Sequence, residues 1–261
     1  MSSERLKVHA SEQDLDLEYV WVGPERPSHP VIVFLHEGLG SVAMWRDFPA
    51  LLCDRLGMRG LVYSRFGYGR STPRAVQARF PVQYLHHEAL DVLPQVLERL
   101  DVVRPWLFGH SDGGSIALLA AAHFPDRFAG LVVMAPHVFV EEVSLANILL
   151  ARAAYREQGL RERLARYHDD VDSAFFGWND VWLDPAFRAW NIEQEIEPIT
   201  CPLLAIQGEN DGYASLEQLH GIQRRVPQSR LLVLPDCGHS PQRDQPEAVI
   251  GAVRDFVSRS I

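Results

Sequence analysis

Ser111 lies in Gly109-His110-Ser111-Asp112-Gly113-Gly114, directly after the apolar run Pro105-Trp106-Leu107-Phe108 and directly before an alanine- and leucine-rich stretch over 115–122. Strand, tight Gly-x-Ser-x-Gly turn and helix form the context in which a serine hydroxyl is held clear of a sheet as a nucleophile. The glycines permit the sharp turn, and the helix start aims its N–H groups at a point where negative charge is favoured. Serine at its free pKa is a weak nucleophile, so it needs a general base, and the base needs an orienting carboxylate. Two later loops carry those residue types. After Leu203-Leu204-Ala205-Ile206 comes Gln207-Gly208-Glu209-Asn210-Asp211-Gly212, and after Leu231-Leu232-Val233-Leu234 comes Pro235-Asp236-Cys237-Gly238-His239-Ser240. The order along the chain is serine, acid, histidine, with Glu209 and Asp211 both standing in the acid's loop. Such a set points to acyl transfer through the serine oxygen.

The elements that must position these residues follow from hydrophobic patterning. Residues 16–22 alternate apolar and polar as a half-exposed strand does, ending at Gly23-Pro24. Val31-Ile32-Val33-Phe34-Leu35 is continuously apolar, the pattern of a strand covered on both faces, and similar runs recur at 60–63, 106–108, 130–134, 203–206 and 230–234. Helical periodicities lie between them: Phe48, Leu51, Leu52 and Leu56; then Ala89, Leu90, Leu93, Val96, Leu97 and Leu100; and a closing amphipathic segment over 246–258. Pro94 predicts that the second of these is kinked or starts late. The alternation implies an α/β fold, a doubly wound and mostly parallel sheet with helices on both faces. Between 138 and 199 the rhythm breaks: Arg/Glu-studded helical patterns precede Phe175, Phe176, Trp178, Trp182, Phe187 and Trp190. That segment is expected to be a helical cap inserted into a core made of residues 1–137 and 200–261. Trp178, Trp182 and Trp190 then either pack the cap on the core or line an apolar pocket over the serine.

Bulk properties narrow the function. Acidic residues outnumber basic ones 34 to 25, and the arginines form no cluster, which argues against nucleic acid as a partner. Cys53, Cys201 and Cys237 have neither metal-ligand nor disulfide-framework spacing, and read as buried thiols of a reducing compartment. The first residues do not resemble a signal peptide, and no apolar stretch approaches a membrane span, so a soluble cytoplasmic protein without a membrane partner is expected. The residues call for no cofactor, and no metal site stands apart from the catalytic candidates. The expected partner is a small-molecule substrate. Oligomeric state is not written in the sequence.

Four separated motifs, His36-Glu37-Gly38-Leu39-Gly40, Gly109-His110-Ser111-Asp112-Gly113, Gly208-Glu209-Asn210-Asp211 and Gly238-His239, together resemble the α/β-hydrolase superfamily, in its capped, serine-esterase-like form. The resemblance runs from about residue 15 to the C-terminus and is weakest in the cap. It implies Ser111 as nucleophile and His239 as base and then acid. It implies Asp211 as the orienting carboxylate, third after the glycine that ends its strand, with Glu209 as the competitor. The oxyanion hole it implies uses the backbone N–H of Asp112 and of Gly38, with Leu39 as the other candidate. Glu37 replaces the family's usual glycine after the histidine, and its carboxylate is expected to point away or into a salt bridge. Ser64-Arg65-Phe66-Gly67-Tyr68-Gly69-Arg70-Ser71 resembles a structural loop of the family, with Ser64 and Phe66 in place of Asp and Pro.

A serine at the elbow, not an aspartate, argues against dehalogenases and epoxide hydrolases. The Ser-Asp-Gly-Gly run resembles esterases acting on small or amino-acid esters. Cleavage of a small carboxylic ester through an acyl-serine is therefore the expected activity. A C–C bond or lactone hydrolase with the same triad is the alternative, and a ligand-binding receptor on the same fold is the alternative of another class. Leu39, His137 and Asp112 are further candidates for substrate contact. Asp112 is read either as a helix-start carboxylate or as the acceptor of a cationic substrate group.

Overall fold

A computed structural model describes residues 3–10, 12–24, 30–75 and 78–260. Eight strands among them form one sheet: β1 (Glu4–Ala10), β2 (Gln13–Val22), β3 (Val31–Leu35), β4 (Arg59–Tyr63), β5 (Trp106–His110), β6 (Gly130–Met134), β7 (Leu203–Gly208) and β8 (Arg230–Leu234). Their spatial order is β1-β2-β4-β3-β5-β6-β7-β8, antiparallel at β1–β2 and β2–β4 and parallel from β4 through β8. The sheet is therefore mostly parallel, as the apolar runs implied. β1 was not among the expected strands; only Leu6, Val8 and Ala10 turn inward, and charged residues fill its other face.

Alternation within each strand divides the core in two. Val33 and Leu35, Leu107, Leu131 and Val133, and Leu203 and Ala205 face one apolar layer, whereas Ile32 and Phe34, Trp106 and Phe108, Val132 and Met134, and Leu204 and Ile206 face the other. The first layer is covered by α2 (Tyr84–His87), α3 (Leu93–Arg99) and α4 (Asp112–His123), the second by α1 (Phe48–Leu56) and, near the chain's end, α10 (Pro246–Val257). A π-helical turn over Glu88–Val92 joins α2 to α3 and places Pro94 in the first turn of α3, where no intrahelical N–H is required. The interruption expected at Pro94 is this wide turn.

Between β6 and β7 lie α5 (Glu142–Glu157), α6 (Leu160–Leu164) and α7 (Val171–Trp182), followed by a 3₁₀ turn over Pro185–Ala189. The insertion packs through Phe175, Trp182, Phe187 and Ile192 onto the first apolar layer. Glu195 ties its return segment to the core, accepting from His86 Nε2 at 3.0 Å and from His123 Nε2 at 2.6 Å. After β7 come α8 (Glu217–Arg225) and, beyond β8, α9 (Pro241–Asp244). Among the described residues no helix is long and apolar enough to cross a membrane. Cys53, Cys201 and Cys237 are free and buried.

Candidate active site

Ser111 stands between the end of β5 and the start of α4 with φ 53° and ψ −118°, a left-handed backbone that a side chain rarely adopts. Its N–H is fixed by the Met134 carbonyl at 2.8 Å, and its own carbonyl accepts from Gly114 N–H at 2.8 Å. The turn is possible because two neighbours lack side chains. A Cβ on Gly109 would lie 2.2 Å from the Gly113 carbonyl oxygen, and one on Gly113 would lie 2.0 Å from that of Leu35.

The loops after β7 and β8 bring the acid and the base to this turn. Ser111 Oγ lies 3.1 Å from His239 Nε2, and His239 Nδ1 lies 2.9 Å from each carboxylate oxygen of Asp211. Asp211 is further held by the Tyr213 N–H at 2.8 Å. Burial opposes the Asp211 charge, but the hydrogen bond and charge of His239 and the Tyr213 N–H outweigh it and keep the carboxyl below its ordinary value. Glu209, the competitor, is exposed, and among the described residues His239 Nδ1 bonds to Asp211 instead. His110 Nε2 donates to the His239 carbonyl oxygen at 2.7 Å, so the residue before the serine also steadies the loop of the histidine.

The N–H groups of Asp112, Gly38 and Leu39 have no backbone acceptor among the described residues. Gly38 is held close by Trp178: a Cβ there would lie 2.3 Å from the indole. The Glu37 carboxylate lies 3.5 Å from Arg243 Nη2 and 3.5 Å from His110 Nδ1. Burial resists its ionisation, yet His110 and Arg243 hold it well below the usual carboxylate range. The loop that follows β4 supports this strand end. Arg65 N–H donates to His36 Nε2 at 3.0 Å, and Arg65 Nη2 donates to the Glu37 carbonyl oxygen at 3.0 Å.

Asp112 occupies the first turn of α4, and its side chain does not line the serine's cavity, which favours its reading as a helix-start carboxylate over that as the acceptor of a cationic substrate group. Its carboxylate is buried and already paired. It lies 3.4 Å from Arg65 Nη2 and accepts from Tyr84 Oη at 2.8 Å and from Trp182 Nε1 at 3.3 Å. Sequence reasoning missed all three partners. The only written signal was an arginine inside a loop taken as structural.

Above Ser111 is a cavity of ≈ 200 Å³. Of the candidates for substrate contact, Leu39, His137, Trp178 and Trp182 line it, together with Gly38, Ile148 and Tyr213. Trp190 does not. It stacks on Phe187 with centroids 5.4 Å apart and packs the return segment of the insertion, because an aromatic's presence in a sequence does not encode the direction it faces. His137 is buried against Trp182, ring centroids 4.9 Å apart, and lies 6.0 Å from the His239 ring. Burial and the neighbouring charge of His239 pull it down to about 3, so it is a neutral polar group in an apolar wall. Its Nδ1 has no protein partner among the described residues.

Residues 30–176 match the family model of the alpha/beta hydrolase fold, more than half of the chain. The chain belongs to that family. It is an α/β hydrolase. The chain is 26% identical to the sn-1-specific diacylglycerol lipase of Mus musculus over 257 residues, which cover 88% of this chain and 81% of that one. It shares its fold with an esterase from Thermogutta terrifontis, with TM-score 0.73 and 21% identity over 98% of this chain and 99% of that one. The enol-lactonase from Burkholderia xenovorans superposes with TM-score 0.74 and 19% identity over 97% of this chain and 100% of that one.

Proposed function

We propose that this α/β hydrolase cleaves small carboxylic esters through an acyl enzyme formed on Ser111. The observation that carries the reading is the unbroken relay from Ser111 Oγ to His239 Nε2 at 3.1 Å and from His239 Nδ1 to both oxygens of Asp211 at 2.9 Å. His239 takes the hydroxyl proton as Oγ bonds to the ester carbon. The carbonyl oxygen becomes an oxyanion facing the N–H groups of Asp112 and Gly38. When the carbon–oxygen bond to the alcohol breaks, His239 returns the proton to the departing oxygen. Water then repeats the sequence on the acyl group, losing its proton to His239, and the acid and free Ser111 result. Asp211, charged throughout, fixes the tautomer that presents Nε2 to the serine and stabilises the imidazolium.

The insertion acts as the cap. Trp178, Trp182 and Ile148 form an apolar wall that suits a short acyl or alkyl group, and His137 offers one uncharged hydrogen-bonding nitrogen within it. The ligand is a small neutral molecule. The three buried free thiols fit a reducing, cytoplasmic setting. A fluorophosphonate probe and a short-chain p-nitrophenyl ester test the reading together: labelling at Ser111 with sustained release supports it. Binding without turnover would assign the fold a receptor role, and preference for cyclic esters over open ones would make the enzyme a lactonase.

A further inference from the structure

A second cavity of ≈ 200 Å³ shares no lining residue with the catalytic one. Leu15, Phe66, Phe80 and Val92 make its wall largely apolar, and Arg74 and Arg79 stand among them. Arg74 is 6% exposed. Among the described residues its guanidinium makes one hydrogen bond, from Nη1 to the adjacent Ala75 carbonyl at 3.0 Å, lies 6.0 Å from the centre of the Phe80 ring, and leaves its Nε buried with no partner. Neither arginine has a carboxylate within ion-pairing distance among the described residues. The two acids whose charges reach Arg74 are engaged elsewhere: Asp170 accepts from Ser173 N–H, and Asp180 pairs with Arg152.

A buried guanidinium with no carboxylate partner is costly unless something compensates it. Arg74 and Arg79 also border a neighbouring cavity with Asp170, Asp172 and Asp180, but without a carboxylate at ion-pairing distance their charges favour an anion in the apolar cavity. The cavity also limits that anion to one charge. Glu88 lines it, its Oε1 accepting from Tyr63 Oη at 2.8 Å, and a second negative group beside Glu88 would be repelled. We propose that this cavity is a second, non-catalytic site for an apolar monocarboxylic acid, its head on Arg74 and Arg79 and its body against Phe80 and Val92.

The occupant is sensed at the catalytic cavity through two side chains. Tyr84 lines the second cavity and stacks on Phe80, centroids 5.7 Å apart, and its hydroxyl accepts from the indole of Trp182 at 2.9 Å. Trp182 lines the first cavity. An acid pressing on Phe80 and Tyr84 therefore moves a wall of the catalytic site.

Calorimetric titration with octanoate, with octanol as the uncharged control, tests the site. Octanoate should bind wild type and Ser111→Ala equally, and the double variant R74Q/R79Q should weaken it about tenfold or more while octanol binding is unchanged. R79Q alone, altering an exposed side chain, should weaken it in the same direction if the double variant fails to fold. Absence of octanoate binding, or equal binding by the arginine variants, overturns the proposal. The indole N–H resonance of Trp182, assigned with W182F, should shift on adding octanoate to wild type and stay still in R74Q/R79Q; a motionless resonance in wild type overturns the coupling. Neither readout requires turnover, so both hold even where the esterase reading fails.

Discussion

The serine turn and the helical insertion face each other across one cavity, yet they are held by different means. On the sheet side the geometry is a backbone matter: Gly109 and Gly113 bring main chains to distances that no added carbon tolerates, and Ser111 is strained into a left-handed conformation. On the insertion side the wall consists of side chains, Trp178, Trp182 and Ile148, carried on helices with many acceptable packings. The first arrangement admits almost no substitution, and the second can be re-cut residue by residue. Under the proposed function, exchanges at the strand ends should therefore act on the chemistry and exchanges in α5 and α7 on selectivity.

Exchanges on the sheet side should be all-or-none, and the largest effect belongs to the nucleophile. Ser111→Ala should lower kcat by about 10⁶-fold and abolish fluorophosphonate labelling, with the circular dichroism spectrum unchanged. Residual labelling would move the nucleophile elsewhere. Asp211→Asn should lower kcat by about 10³–10⁴-fold, and Glu209→Gln by less than about tenfold; the opposite ranking, read by steady-state kinetics, would transfer the orienting role to Glu209.

Exchanges on the insertion side should tune the enzyme and spare the chemistry. Trp178→Ala enlarges the cavity and should shift the kcat/KM ratio of long over short acyl esters by about tenfold. Trp190→Ala, outside the cavity, should leave that ratio alone and cost about 3–5 kcal/mol in denaturant unfolding. If the two variants behave alike, the division between wall and packing fails.

The smallest effect concerns pH. The folded protein holds His137 at about 3 against 6.5 for a free side chain, so between those values the unfolded chain binds more protons. The stability contributed by keeping His137 neutral is complete above about pH 6.5 and is lost as pH falls toward 3. His137→Gln should flatten the stability profile in that window by up to about 1.4 kcal/mol per pH unit and leave it unchanged above pH 7. Asp211, lowered in the fold, works in the same direction further into acid: its contribution is present above its unfolded value and disappears as pH falls through the folded one. Urea unfolding at stepped pH reads both.

Much of the sheet side was legible because its constraints are local. Apolar runs give buried strands, Gly-x-Ser-x-Gly gives the turn, and loops at successive strand ends of a parallel sheet lie side by side, so Ser111, Asp211 and His239 meet although 100 and 28 positions separate them. The surroundings of Asp112 were illegible for the opposite reason. Arg65, Tyr84 and Trp182 come from a loop, a helix and the insertion, and nothing in their types or spacing sends them to one carboxylate. The tryptophans show the same limit. Composition left open whether the aromatics pack the insertion or line a pocket; α7 turns Trp178 and Trp182 toward the serine, while the 3₁₀ turn after it sends Trp190 to Phe187.

The helix that begins beside Ser111 is buried along nearly its whole length, from Asp112 to Ala122, between the sheet, α2 and the π-helical turn that follows α2. Its amides should therefore exchange with deuterium only on the clock of global unfolding. The same segment that starts at the nucleophile is therefore the last to loosen. On heating, the turn should hold its shape until the native state as a whole gives way, and the loss of activity and the melting of the structure should coincide as one event.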